Sequence, residues 1–116
     1  MDGIRLLHPA TIDAAIVEQS SGPDAILPFP TRFGLGFMLT MPEPAGTSGT
    51  GIPLTFGPNP RAFGHPGAGG SIGFADPDGR IGFGYVMNQY QTGTPRNPDL
   101  RWVTLAEAAY KSLGAQ

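Results

Sequence analysis

Near the start of the chain, Ile12, Ala15 and Ile16 recur at helical spacing, and Pro9 stands just after His8, where a first helical turn accepts proline. This pattern predicts a short helix opening at Pro9 and stopped by Ser20-Ser21-Gly22-Pro23. A loop with Pro28 and Pro30 follows. The run Phe33-Gly34-Leu35-Gly36-Phe37-Met38-Leu39-Thr40-Met41 is aromatic and apolar with no helical stripe, as in one buried strand, and its glycines point to something packing closely there. From Pro42 to Pro60 the residues are Gly, Pro, Thr and Ser with few large apolar side chains, so residues 42–60 are expected to form a long surface loop without a core of its own.

Strict alternation appears between Gly70 and Asn88. Ile72 and Phe74 share one face; beyond Asp76-Pro77-Asp78-Gly79 the pattern resumes with Ile81, Phe83, Tyr85 and Met87 opposite Gly82, Gly84 and Val86. The period of two with a Pro-Asp-Gly turn predicts a β-hairpin with one large apolar face and one nearly bare face. A helix or another chain segment is expected to approach the backbone on the glycine side. A helix follows in the sequence, with Asn97 as cap, Pro98 as first residue, a stripe of Trp102, Ala106, Ala109 and Leu113 ending at Gly114, and Glu107 placed to pair with Lys111. The order helix, strand, long loop, antiparallel strands, helix is that of an α+β fold, an antiparallel β-sheet flanked by N- and C-terminal helices.

Composition narrows the reading. Seven Lys+Arg against nine Asp+Glu give a net charge of −2, which excludes a basic nucleic-acid footprint. Eighteen Gly and thirteen Pro in 116 residues would fit a low-complexity chain, but 40% of the residues are apolar and the glycines lie in patterned segments, so a single folded domain over residues 1–116 is expected. There is no cysteine, hence neither a disulfide framework nor a thiolate nucleophile. With no signal-peptide pattern in residues 1–20 and no run of eighteen apolar residues, no membrane span and a cytoplasmic location are expected.

Candidate chemistry is sparse. The chain has serines, two histidines and several aspartates, but no Gly-x-Ser-x-Gly elbow. A Ser-x-x-Lys pair on a helix would bring an amine to a hydroxyl one turn away, yet the single lysine is Lys111 and position 108 is Ala108. His8 and His65 are far apart with no acidic partner at ligand spacing, so no metal and no cofactor are expected. The segment His65-Pro66-Gly67-Ala68-Gly69-Gly70-Ser71 reads either as an anion-cradling loop or as a glycine-rich strand entry. It has no lysine after the glycines and leads into a strand, where a phosphate loop would open a helix. His65 taken alone reads more readily as a hydrogen-bonded structural histidine than as a catalyst.

The stretch Phe63-Gly64-His65-Pro66-Gly67-Ala68-Gly69-Gly70-Ser71-Ile72-Gly73-Phe74-Ala75-Asp76-Pro77, running into Gly82-Phe83-Gly84-Tyr85-Val86-Met87-Asn88-Gln89, closely resembles the C-terminal part of the serine β-lactamase-like family. Within that family it is nearest to the esterases and penicillin-binding-protein-like hydrolases similar to class C enzymes. Arg32-Phe33-Gly34-Leu35-Gly36-Phe37 and Leu6-Leu7-His8-Pro9 fit the same family, so the resemblance covers essentially the whole chain. It implies a partial β-lactamase/transpeptidase-like fold and an acyl-enzyme mechanism on small esters or amides. Such proteins use a Ser-x-x-Lys nucleophile and base, a Tyr-centred second motif and a third motif of Lys-Thr-Gly or His/Trp-x-Gly type on a strand lining the pocket. By resemblance His65-Pro66-Gly67 is the third motif, and Ala68, the residue after its glycine, supplies one backbone N–H of the oxyanion hole.

Neither Ser-x-x-Lys nor Tyr-x-Asn occurs in the 116 residues. The chain is therefore expected to be a C-terminal fragment of the domain, with Met1 at a fragment boundary, and inactive alone. Two readings follow. In one, the chain is the C-terminal portion of a serine hydrolase and acts only with an N-terminal partner chain that supplies the nucleophile. In the other, it is a catalytically inactive structural or binding remnant that associates with a partner or with itself through a hairpin face left partly uncovered.

Overall fold

The computed structural model describes residues 3–27, 30–41, 56–91 and 101–114. Helix α1 spans Pro9–Ala15; six strands follow, β1 (Ser20–Pro23), β2 (Pro30–Phe33), β3 (Met38–Leu39), β4 (Phe63–Pro66), β5 (Ile72–Asp76) and β6 (Ile81–Tyr85); helix α2 runs Arg101–Ser112. The strands form one antiparallel sheet in the order β1-β2-β3-β4-β5-β6, each pairing with its neighbour in sequence. The α+β architecture expected from the sequence is the one observed.

Helix α1 begins where expected. Pro9 has the backbone geometry of a first turn, and His8 caps the helix by accepting the Ala10 N–H on Nδ1 at 3.3 Å. Residues 20–23 were expected to be a stop and are instead the edge strand β1, in register Ser20↔Phe33 through Pro23↔Pro30. An edge strand pairs on one side only, so its polar side chains need bury nothing, and period-two hydrophobicity is absent. The loop expected at Pro30 is likewise the first residue of β2.

The single strand expected from Phe33 to Met41 is a tight hairpin. Gly34 N–H donates to the Phe37 carbonyl at 2.9 Å, Gly36 takes φ +83°, and the chain returns so that Phe33 pairs with Met38. The expected close contact does exist at Gly34, where a Cβ would lie 2.3 Å from the Ala15 carbonyl oxygen at the end of α1. Of the long segment 42–60, residues 42–55 lie outside the described residues. Phe56 does not fit a loop without a core, since it is 2% exposed and stacks on Phe74 at 5.9 Å.

The alternating hairpin stands as predicted, with Ile72↔Tyr85, Phe74↔Phe83 and Asp76↔Ile81. Its left-handed turn residue is Arg80 (φ 52°), while Gly79 is there because a Cβ would press on the Asp76 carboxylate. The helix, however, docks on the opposite face from the one expected. Trp102, Ala106 and Tyr110 of α2 pack with Phe56, Ile72 and Phe74 in one core, and Phe83 stacks on Phe74 at 5.0 Å. The reason is energetic: burying apolar area yields about 25 cal/mol per Å², and only the large face has area to bury. That face is thus covered at Ile72 and Phe74, both under 7% exposed, and half-buried at Ile81, Phe83 and Tyr85.

Helix α2 uses Tyr110 rather than Leu113, which is 65% exposed, to extend its stripe. Glu107 and Lys111 form no ion pair with each other; the ion pairs among the described residues are Arg32–Glu18, Arg61–Asp13 and Arg61–Asp78. The expected cap Asn97 and first residue Pro98 lie outside the described residues. Among those residues no helix is long and apolar enough to cross a membrane.

Candidate functional site

The register of β4, β5 and β6 separates two faces. Gly64, Phe74 and Phe83 are opposite one another on the core side, and His65, Gly73 and Gly84 are opposite one another on the other side. A Cβ built at Gly73, Gly82 or Gly84 would meet nothing within 4 Å, so this second face is open, nearly bare backbone. His65 is the large polar side chain standing on it at the end of β4 and is exposed. The three candidate residues are therefore brought together: His65 stands one residue before the end of β4, and Gly67 and Ala68 begin the turn to β5.

His65 Nδ1 lies 2.7 Å from the Pro66 carbonyl oxygen. A carbonyl only accepts, so Nδ1 carries the proton and, in the neutral ring, Nε2 is left as an acceptor. The ring is 6.1 Å from that of Phe33. Gly67 N–H donates to the Ser71 carbonyl at 2.7 Å and Gly70 N–H to the Gly67 carbonyl at 3.2 Å, closing a compact turn. A Cβ at Gly67 would lie 2.2 Å from Ser71 Oγ, and Gly69 and Gly70 take φ of +91° and +108°, which explains the concentration of glycine here. Between them Ala68 is exposed, and nothing among the described residues accepts its N–H.

The turn is held from behind by residues that sequence reading did not single out. The segment after β6 passes over it: Gln91 N–H donates to the Gly69 carbonyl at 3.2 Å, and a Cβ at Gly69 would strike the Tyr90 ring and the Met87 methyl. Arg101, the first residue of α2, donates through Nη2 to the carbonyls of Gly69 (3.0 Å) and Gln91 (3.4 Å) and through Nη1 to that of Gln89 (3.0 Å). An arginine at a helix start reads in sequence as a solvated charge, and no spacing rule points to three carbonyls gathered around it.

A second polar cluster fixes the far end of β5. Asp76 is 3% exposed and accepts from the N–H groups of Asp78 (3.1 Å) and Gly79 (2.8 Å), from Asn59 Nδ2 and from the Tyr110 hydroxyl at 2.9 Å. Burial works to raise the Asp76 carboxyl, but these donors together hold it below the ordinary carboxylate value. Burial, then the hydrogen bond and the charge of Asp76, push the Tyr110 phenol well above its usual 10.0. With every buried polar side-chain atom among the described residues satisfied, this cluster is a structural pin joining Asn59, the β5–β6 turn and α2.

Elsewhere a groove of about 480 Å³ lies beside α1, lined by Asp13, Ile16, Val17, Arg32, Leu39, Pro60 and Arg61. It shares no residue with the His65–Ser71 turn. Among the described residues no group of His, Asp or Glu side chains is gathered to hold a metal.

Comparison with known proteins agrees with the fold. The beta-lactamase family model matches residues 1–108. Among solved structures, a penicillin-binding protein homologue from Caulobacter crescentus is 41% identical with a TM-score of 0.76, over 97% of this chain and 27% of that one. A family VIII carboxylesterase is 38% identical with a TM-score of 0.77, over 96% of this chain and 27% of that one. EstA from Arthrobacter nitroguajacolicus Rue61a is 33% identical with a TM-score of 0.73, over 94% and 26%. No curated protein matches. The chain thus spans about a quarter of the length of the solved proteins it resembles, and it carries their fold over that stretch. On the family match and these identities together, the chain belongs to the beta-lactamase family.

Proposed function

We propose that these 116 residues form the C-terminal wall of a serine ester or amide hydrolase site, with the nucleophile and base supplied by another polypeptide segment. His65-Pro66-Gly67 borders the acyl pocket, and the Ala68 N–H is one oxyanion donor. The observation that carries this reading is that Ala68 is exposed in the turn following β4 and that nothing among the described residues accepts its N–H. A donor fixed in place before charge develops costs no reorganisation when the tetrahedral oxyanion forms. The bare backbone at Gly73 and Gly84 leaves room for a substrate or a packed segment against the sheet. His65 presents the Nε2 lone pair and orients substrate.

The test has two arms. The purified chain alone is expected to leave activated short-chain esters and a chromogenic cephalosporin at buffer rates, because no nucleophile–base pair is present. Stoichiometric labelling of a serine by a fluorophosphonate probe would contradict this. In the second arm the chain replaces the corresponding 27% of the family VIII carboxylesterase. The folded chimera is expected to hydrolyse esters, and Ala68→Pro, which removes the N–H, lowers kcat by about 10²–10³. His65→Ala costs less, since no proton transfer is assigned to it. A folded chimera indifferent to Ala68→Pro would refute the oxyanion role.

The absence of Ser-x-x-Lys favours a second reading for the chain by itself, a catalytically inactive binding remnant. A chimera that folds but never hydrolyses ester would support it.

A further inference from the structure

We infer that Arg101 is a positioning residue for the oxyanion turn: its guanidinium sets where the Ala68 N–H points. The inference rests on the oxyanion role proposed above for Ala68. The turn Gly67–Ser71 has two internal hydrogen bonds, and both sit at its ends, Gly67 to Ser71 and Gly70 to Gly67. Gly69 and Gly70, in left-handed conformation, have low intrinsic barriers to other backbone angles. The Ala68 N–H belongs to the Gly67–Ala68 peptide, whose other end, the Gly67 carbonyl, accepts from Gly70 N–H at 3.2 Å, so its direction follows that of the Gly69–Gly70 peptide. What fixes that second peptide is its own carbonyl, that of Gly69, which accepts from both Gln91 N–H and Arg101 Nη2. The same guanidinium holds the carbonyls of Gln89 and Gln91, so the strap that covers Gly69 with Tyr90 and Met87 is tied to the same point.

Arg101 is suited to this because its donors form a planar fork; one rigid group can engage carbonyls from two segments at once, which a lysine ammonium on a flexible stem cannot reproduce. Its helix is anchored by Trp102 and Tyr110 in the core, so the fork is referred to the rigid part of the molecule. Arg101 touches no reacting atom; it acts through the turn.

Two measurements test this on Arg101→Gln and Arg101→Lys, with buried Trp102 fluorescence confirming that each variant is folded. In the isolated chain, amide exchange at Gln91 is expected to quicken by at least about tenfold in Arg101→Gln while the β5–β6 amides keep their protection, since local opening frees the strap without global unfolding. In the carboxylesterase chimera the same variant lowers kcat by about 10²-fold with KM nearly unchanged, the size of loss a misplaced catalytic group produces. Arg101→Lys falls between the two in both measurements.

Unchanged Gln91 exchange in Arg101→Gln overturns the inference. So does an unchanged kcat in a chimera that Ala68→Pro inactivates. If Ala68→Pro is without effect while Arg101→Gln still frees Gln91, the oxyanion reading fails and the clamp on the turn stands.

Discussion

A methyl group at Gly64 would lie 2.3 Å from the Gly73 carbonyl oxygen and 2.5 Å from the Phe74 Cβ, whereas at Gly73 or Gly84 it would meet nothing within 4 Å. Glycines on adjacent strands of one sheet thus have opposite meanings. Gly64→Ala is expected to cost about 1–3 kcal/mol through overpacking. Gly73→Ala and Gly84→Ala should be neutral or stabilising by about 0.5–1 kcal/mol, because an alanine restricts the unfolded chain more than glycine. Urea denaturation of the three variants separates the cases, and equal midpoints would show that the two faces are not distinguished by packing. At this scale the alternation of Ile72, Phe74, Phe83 and Tyr85 with glycines was legible in the sequence, and the site proposed at His65, Gly67 and Ala68 rests on the motif that singled them out. The contacts of Arg101 were not legible, since the partners they reach are backbone carbonyls, which carry no residue identity.

Among the elements, α2 and the β5–β6 hairpin were readable because their apolar positions repeat at 3.6 and 2. The edge strand β1 was not, because Ser20-Ser21-Gly22-Pro23 contributes a backbone ladder and no apolar face. Nor was the split between β2 and β3, which depends on Gly34 and Gly36 turning the chain inside an apolar run. The joint of β5 with α2 makes a pH prediction. Asp76 is depressed in the folded state, so its contribution is present above the unfolded carboxylate value and is lost as pH falls below about 4. Tyr110 is raised, so its contribution is full below the unfolded phenol value and is lost as pH climbs above about 10. Tyr110→Phe removes a donor from the buried Asp76 and should cost about 1–3 kcal/mol at neutral pH. The same change should flatten the alkaline limb relative to the parent chain. An alkaline limb of the same steepness in both proteins would show that Tyr110 is not its source.

For the molecule as a whole, the core joins Met38 and Met41 near β3, Phe56, the hairpin and α2 in one cluster closed by the chain's own residues. The 116-residue chain is therefore expected to unfold cooperatively, with the emission of Trp102, the sole tryptophan, blue-shifted in the folded state and red-shifting in a single urea transition. A solvent-like tryptophan spectrum without denaturant would mean that the core needs a second polypeptide to form. The α+β class and the family were legible from the chain alone, through the His65–Ser71 turn and its hairpin. The side on which α2 docks does not follow from the bare glycine face, because the apolar area to be buried on the opposite face decides it.

The six strands pair strictly in the order in which they occur, so every described ladder is made between consecutive stretches of one contiguous sequence. A sheet of this kind is heritable as a block. A recombination joint placed ahead of α1 cuts through none of its hydrogen-bonded pairs, and a gene that acquires the stretch acquires the turn together with the helix that aims it. Under the function proposed above, variation in such a block reaches the chemistry through its backbone, where glycine, proline and the clamping arginine are the letters that matter.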